Sequence, residues 1–173
     1  AEAAADKLKA GLNPLVVEHG VADITATITR INELAAKDGL IDYVVLPLYS
    51  ELEPEDQDKV FDYSGMPTCI VATNIAETSL TIPYIHVVID LGMERRKEIV
   101  NGVEGYYIRP ISRDKQKQRK GRAGRTMAGF WINLCTADPA DILEHHVPEI
   151  MRCHLDQMVL RLAGLSVNAE ELR

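Results

Sequence analysis

The sequence predicts an α/β domain in three layers, with a mostly parallel central sheet and helices on both faces. Three observations predict it. Leu15-Val16-Val17, Tyr43-Val44-Val45-Leu46, Thr68-Cys69-Ile70-Val71-Ala72 and His86-Val87-Val88-Ile89-Asp90 are short runs without the alternation of a sheet with one wet face. Between the first two, Ile24, Ile28, Ile31, Leu34 and Ala35 fall at helical spacing, so strand and helix alternate. The runs end in Glu18-His19-Gly20, Thr73-Asn74 and Asp90-Leu91-Gly92. A parallel sheet gathers such ends into one crevice, where open α/β sheets bind ligands.

Along the chain, residues 1–11 are an alanine-rich charged segment, read as a flexible leader without the apolar core of a signal peptide. Pro14 and Gly20 bracket the first strand. The helix from Val21 carries Lys37 near its end and stops at Gly39. Pro47 lies just beyond the second strand. Pro54 opens a short helix through Glu55, Gln57 and Val60 to Phe61. A polar turn after Ala72 leads to a short helix from Ile75 to Thr78. Met93–Val100 and Val103–Ile111 flank Asn101-Gly102, a pair that favours a type I′ turn, so they read as a β-hairpin. Its mixture of charged and apolar residues makes it project from the sheet. Ser112 to Arg122 reads as helix and Gly129 to Leu134 as a returning strand. From Pro148 to Leu165, Ile150, Leu155, Met158, Val159 and Leu162 form the apolar stripe of a last helix.

A length of 173 residues suits one domain with a short appendage. Apolar and charged fractions of 46% and 26% are those of an ordinary globular protein. No apolar stretch approaches the roughly 20 residues that span a bilayer. Cys69, Cys135 and Cys153 are odd in number and far apart, which suits reduced thiols and an intracellular location. His145 and His146 have no partner at metal-ligand spacing, so no metal site is expected. Asp90 reads as the cap of a strand end.

A net charge of -7 argues against a generic nucleic-acid binder. The distribution argues the other way: from Arg109 to Arg125 there are eight Lys or Arg residues and one acid, Asp114. Within that run stands Gln118-Arg119-Lys120-Gly121-Arg122-Ala123-Gly124-Arg125. Guanidinium groups match phosphate oxygens in pairs, and glycines let a backbone come close to a ligand. The octapeptide is therefore the first candidate for phosphate chemistry.

Upstream lies Val71-Ala72-Thr73-Asn74-Ile75-Ala76-Glu77-Thr78-Ser79-Leu80-Thr81-Ile82. The two segments resemble motifs V and VI of the DEAH-box (DEAH/RHA) helicases of superfamily 2, in order and at the expected separation. Pro47-Leu48-Tyr49-Ser50, Gln57 to Phe61 and Leu15 to Gly20 extend the resemblance, which covers roughly Leu15 to Leu165. It implies the second RecA-like domain of an ATP-dependent RNA helicase over residues 12–147, with 148–173 leading towards a winged-helix region. The phosphate-binding G-x-x-x-x-G-K-[ST] loop and the D-E-x-H segment belong to the first RecA-like domain in this family. Neither is present, so half of an ATPase site is expected, inactive alone, with Mg2+ held mainly by that first domain.

By the same resemblance, Arg122 and Arg125 are arginine fingers and Gln118 helps to order the attacking water. Phe61 stacks on adenine, while Ser79 and Thr81 sense the nucleotide. Thr73, Asn74 and Gly20 lie near RNA phosphates. The implied partners are RNA, the first RecA-like domain and an activator protein, with no membrane. Pro83 stands where many members have an aspartate that bonds the ribose, and His19 differs from the usual residue of motif IV. Two other readings stay open: a non-enzymatic interaction domain descended from a helicase, and a motor acting on DNA.

Overall fold

A computed structural model describes residues 1–78 and 80–164 of the chain. In order these form α1 (Glu2–Lys9), β1 (Pro14–Val17), α2 (Val21–Lys37), β2 (Val44–Leu48) and α3 (Pro54–Asp58), the last continued by a 3-10 turn, Lys59–Phe61. Then come β3 (Thr68–Ala72), α4 (Ile75–Thr78), β4 (Val87–Asp90), β5 (Met93–Val100), β6 (Val103–Pro110), α5 (Arg113–Lys120), β7 (Phe130–Asn133) and α6 (Asp156–Gly164). Two compact units divide the chain. One holds Ala1–Glu94 and Ile108–His146, and the other holds Arg95–Tyr107 and the segment from Val147.

In the first unit, a five-stranded sheet runs in the order β2-β3-β1-β4-β7, every neighbouring pair parallel. Alternation along each strand sorts the apolar residues onto two faces. Leu15, Val17, Ile70, Ala72 and Val88 join one core with Val60, Ala76, Ile82, Tyr84 and Ile85. Val16, Cys69, Val71, Val87 and Ile89 join another with Ala4, Leu8, Ile24 and Ile31 from α1 and α2. Both faces are covered, which is why the central strands read as unbroken apolar runs. Among the described residues no helix is long and apolar enough to cross a membrane.

The structure corrects three expectations. Residues 1–11 are not a flexible leader: Ala4, Ala5 and Leu8 of α1 are buried, and burying a leucine contributes about 2 kcal/mol, enough to hold a short helix on the core. Pro47 lies inside β2 rather than beyond it. The amide of Val44 donates to Pro67 on the β3 side, so by strand alternation the nitrogen of Pro47 faces the open edge and no ladder bond is lost. The tail from Pro148 is a 3-10 turn, Glu149–Met151, followed by a break before α6. The break has a cause within the second unit. The Arg152 carbonyl accepts from the amide of Ile99 on β5 (3.0 Å), and its guanidinium donates to the carbonyls of Val147 (2.9 Å) and Lys97 (2.6 Å). Engaged by the hairpin, Arg152 cannot continue a helix. Ile150, Leu155 and Val159 of the expected stripe are exposed, and its end at Leu165, like the rest of 165–173, lies outside the described residues.

The hairpin of β5 and β6 is a separate two-stranded sheet. Asn101 and Gly102 have φ of 52° and 78°, both positive as a type I′ turn requires.

Candidate functional site

Carboxyl ends of parallel strands point one way, so Glu18, Thr73 and the residues after Asp90 share one sheet edge. On it, α4 and α5 place the two long motifs together. Asp114 fixes the start of α5. Desolvation opposes its charge, but hydrogen bonds from the Ser112 hydroxyl and from the His146 and Lys115 amides outweigh that and hold the carboxyl down at about 2. Lys117, Arg119 and Lys120 lie in the last turn, where the helix dipole favours cations.

Arg119 is the deepest cation, 1% exposed. Its Nε donates to Glu77 Oε2 (3.0 Å), and its Nη1 donates to Asp90 Oδ1 (2.8 Å) and to the Met93 carbonyl (3.3 Å). Glu77 and Asp90 are themselves buried. One guanidinium thus joins motif V, the end of β4 and motif VI.

Arg122 is half-buried. Its Nη1 donates to the Leu80 carbonyl (2.8 Å) and its Nη2 to the Glu77 carbonyl, while its Nε is buried without a hydrogen-bond partner. Burial, and then repulsion from Arg125, push its pKa below the ordinary arginine value, with Glu77 opposing. Arg125 is exposed and donates from Nη1 to the Thr81 hydroxyl (3.0 Å) and from Nε to the Gly121 carbonyl (3.2 Å). The turn between them requires Gly124. It has φ of 69°, and a Cβ there would meet the Gly129 amide nitrogen at 2.8 Å. Its amide donates to the Ile85 carbonyl (3.1 Å), and the Thr126 hydroxyl donates to that of Pro83 (2.5 Å). Residues 122–126 therefore clasp 80–85 along its length.

Of the residues expected at the site, the structure brings Arg122, Arg125 and Thr81 together. Gln118 is exposed on the same helix. Phe61 ends the 3-10 turn and is 41% exposed, so it is not a core residue. Thr73 and Asn74 follow β3, and Gly20 follows the neighbouring β1. The Thr73 amide donates to the Leu48 carbonyl (3.1 Å) and the Asn74 carbonyl accepts from Glu77 (2.9 Å). Gly20 is extended at φ of -165°, and a Cβ there would meet only Asp23 Oδ2 at 3.8 Å. Its surroundings are open. Ser79 lies outside the described residues.

Sequence reasoning missed the Arg119–Glu77–Asp90 cluster. Its trace was there: two acids, Asp90 and Glu77, each adjoin apolar residues, and acids placed so need a buried cation. Among the described residues no three His, Cys, Asp or Glu side chains converge on a point, and Glu77 and Asp90 are committed to Arg119. These residues do not form a magnesium site.

A family profile described as the helicase conserved C-terminal domain matches residues 13–127. The chain is 39% identical over 158 residues to "Probable ATP-dependent RNA helicase DHX34" of Homo sapiens, covering 88% of this chain and 14% of that protein. It is 37% identical over 139 residues to the ATP-dependent RNA helicase HrpA homolog of Haemophilus influenzae, covering 79% and 11%. The crystal structure of the Escherichia coli DEAH/RHA helicase HrpB superposes with a TM-score of 0.77 at 31% identity, covering 93% of this chain and 21% of that one. The chain thus spans a small fraction of the length of the relatives it matches.

Proposed function

Since the chain belongs to the helicase conserved C-terminal domain family, as a RecA-like domain of DEAH/RHA type, we propose that it is the second motor domain of an ATP-dependent RNA helicase. In this reading it supplies Arg122 and Arg125 to the phosphates of ATP bound against a first RecA-like domain. The observation that carries the reading is the convergence of both arginines on motif V, through the carbonyls of Glu77 and Leu80 and the hydroxyl of Thr81.

The chemistry follows from that arrangement. Two cations stand side by side, one partly desolvated, so an incoming anion relieves their repulsion. Negative charge spreads over a transferred phosphoryl group, and a planar permanent cation stabilises it without moving a proton. Thr81 receives Arg125 and so reads whether that arginine has left for phosphate. Gln118, exposed one turn before Arg122, orients the attacking water. Phe61 offers an open ring to the base. Magnesium and the phosphate-binding loop come from the first domain, as the helicase resemblance implies. Gly20, Thr73 and Asn74, at neighbouring strand ends, take the RNA backbone, which carries no base sequence. RNA, rather than DNA, is supported by the names of the relatives.

The test is ATP turnover with and without RNA by the protein carrying this domain, unsubstituted and as Arg125→Ala. The expected outcome is RNA-stimulated turnover that falls by about a thousandfold or more in the variant. Unchanged turnover in Arg125→Ala would make that arginine structural. No turnover in either would favour an interaction domain.

A further inference from the structure

Tyr84 lies near the end of the clasped segment, and its side chain packs with Val60 of the 3-10 turn in the core. It is 5% exposed. Its hydroxyl donates to the carbonyl of Val60 (2.6 Å), the residue before Phe61. Its ring stacks on that of Tyr63, two residues after Phe61, with centroids 4.5 Å apart and planes at 19°. The Tyr63 amide in turn donates to the Phe61 carbonyl (3.1 Å). One side chain thus holds the backbone just before Phe61 and the ring of Tyr63 just after it, while Phe61 itself stays exposed.

The neighbours of Tyr84 are held by motif VI. Leu80 and Thr81 receive Arg122 and Arg125, Pro83 receives Thr126, and Ile85 receives Gly124. The segment 80–85 is therefore one rigid link. At one end it holds the two arginines, and near the other it holds the turn that carries Phe61.

Resting on the functional reading above, we propose that Tyr84 is a positioning residue for nucleotide binding. It fixes Phe61 as a stacking platform at a set distance from Arg122 and Arg125, so that base and phosphates are met together. Burial pushes the Tyr84 hydroxyl up to about 12, so it stays a donor at any working pH.

Two readouts test this. The 173-residue chain has two phenylalanines, Phe61 and Phe130, so fluorophenylalanine labelling gives two fluorine resonances, assigned with Phe130→Leu. Tyr84→Phe keeps the stacked ring, removes one hydrogen bond and adds a third resonance of its own, which Phe61→Leu in the same background tells apart from that of Phe61. It should broaden or shift the Phe61 resonance and leave that of Phe130 in place. In the helicase carrying the domain, the same substitution should raise KM for ATP by about threefold to tenfold, the worth of one hydrogen bond, with kcat within about twofold. Tyr63→Leu, which removes the stack from the exposed side, should act in the same direction. An unmoved Phe61 resonance, or a fall in kcat with KM unchanged, overturns the proposal. Absence of turnover in the unsubstituted protein would sink the functional reading instead, and the Phe61 resonance still decides the brace.

Discussion

The helical half and the turn half of Gln118–Arg125 use their arginines in opposite ways. Arg119, on α5, is closed off from water between two carboxylates, whereas Arg125, six residues on, is exposed and holds a hydroxyl and a carbonyl. Arg122 stands between them in burial and in partners. A permanent cation locked by two acids fixes geometry, and one held by neutral oxygens is free to exchange them for a stronger anion. In the proposed function the octapeptide is thus a gradient from anchor to reagent. Three identical side chains at a spacing of three separate only because α5 ends at Lys120 and the chain turns at Gly121.

The contrast can be broken most severely at Arg119. Arg119→Ala leaves Glu77 and Asp90 buried without their cation and should lower unfolding stability by about 3–5 kcal/mol, read from denaturant melts. Arg125→Ala, by comparison, should stay within about 0.5 kcal/mol of the unsubstituted protein. Equal losses would erase the distinction between anchor and reagent. Gly124→Ala comes next. A side chain at positive φ, pressed on the Gly129 backbone, should cost about 2–3 kcal/mol, and thermal unfolding would show it.

A milder effect than that of Gly124 belongs to Asp114, at the start of the same helix. Folding lowers its carboxyl from the ordinary 3.8 to about 2. A depressed acid stabilises the fold above its unfolded pKa and stops doing so as pH falls through the folded one. Its contribution is therefore complete above about pH 4 and gone below about pH 2. The carboxylate is partly solvated, so Asp114→Asn should cost no more than about 1 kcal/mol at pH 7. The two proteins should converge in stability near pH 2. A difference that persists there would assign the effect to packing.

The order of strands and helices was legible because each level of the pattern agrees: apolar runs for buried strands, a 3.6 period for α2, and Asn-Gly for the hairpin. Thr68–Ala72 and Ile75–Thr78 are found with the bounds expected. What the sequence hid depends on tertiary contact. The charge and alanine content of α1 say nothing of the groove that takes Leu8. Arg119 stands among six other cations of the helix and turn, and nothing local marks it as the buried one. The break at Arg152 depends on an amide of β5 more than fifty residues away. For the site, the convergence of the arginines on motif V was legible as a shared edge. The bracing of Phe61 by Tyr84 was not, because tyrosine at the end of a loop has no local signature.

Pro47 has a further consequence. β2 closes one side of the sheet, and its outer backbone would accept another extended chain as readily as β3 does from within. With its ring nitrogen turned outward, Pro47 withdraws a donor from the very row that a stray strand would need. Two copies of this domain crowded together thus find one flank already incompatible with edge-to-edge association. A residue that looks like a flaw in the strand therefore helps to keep the protein dispersed.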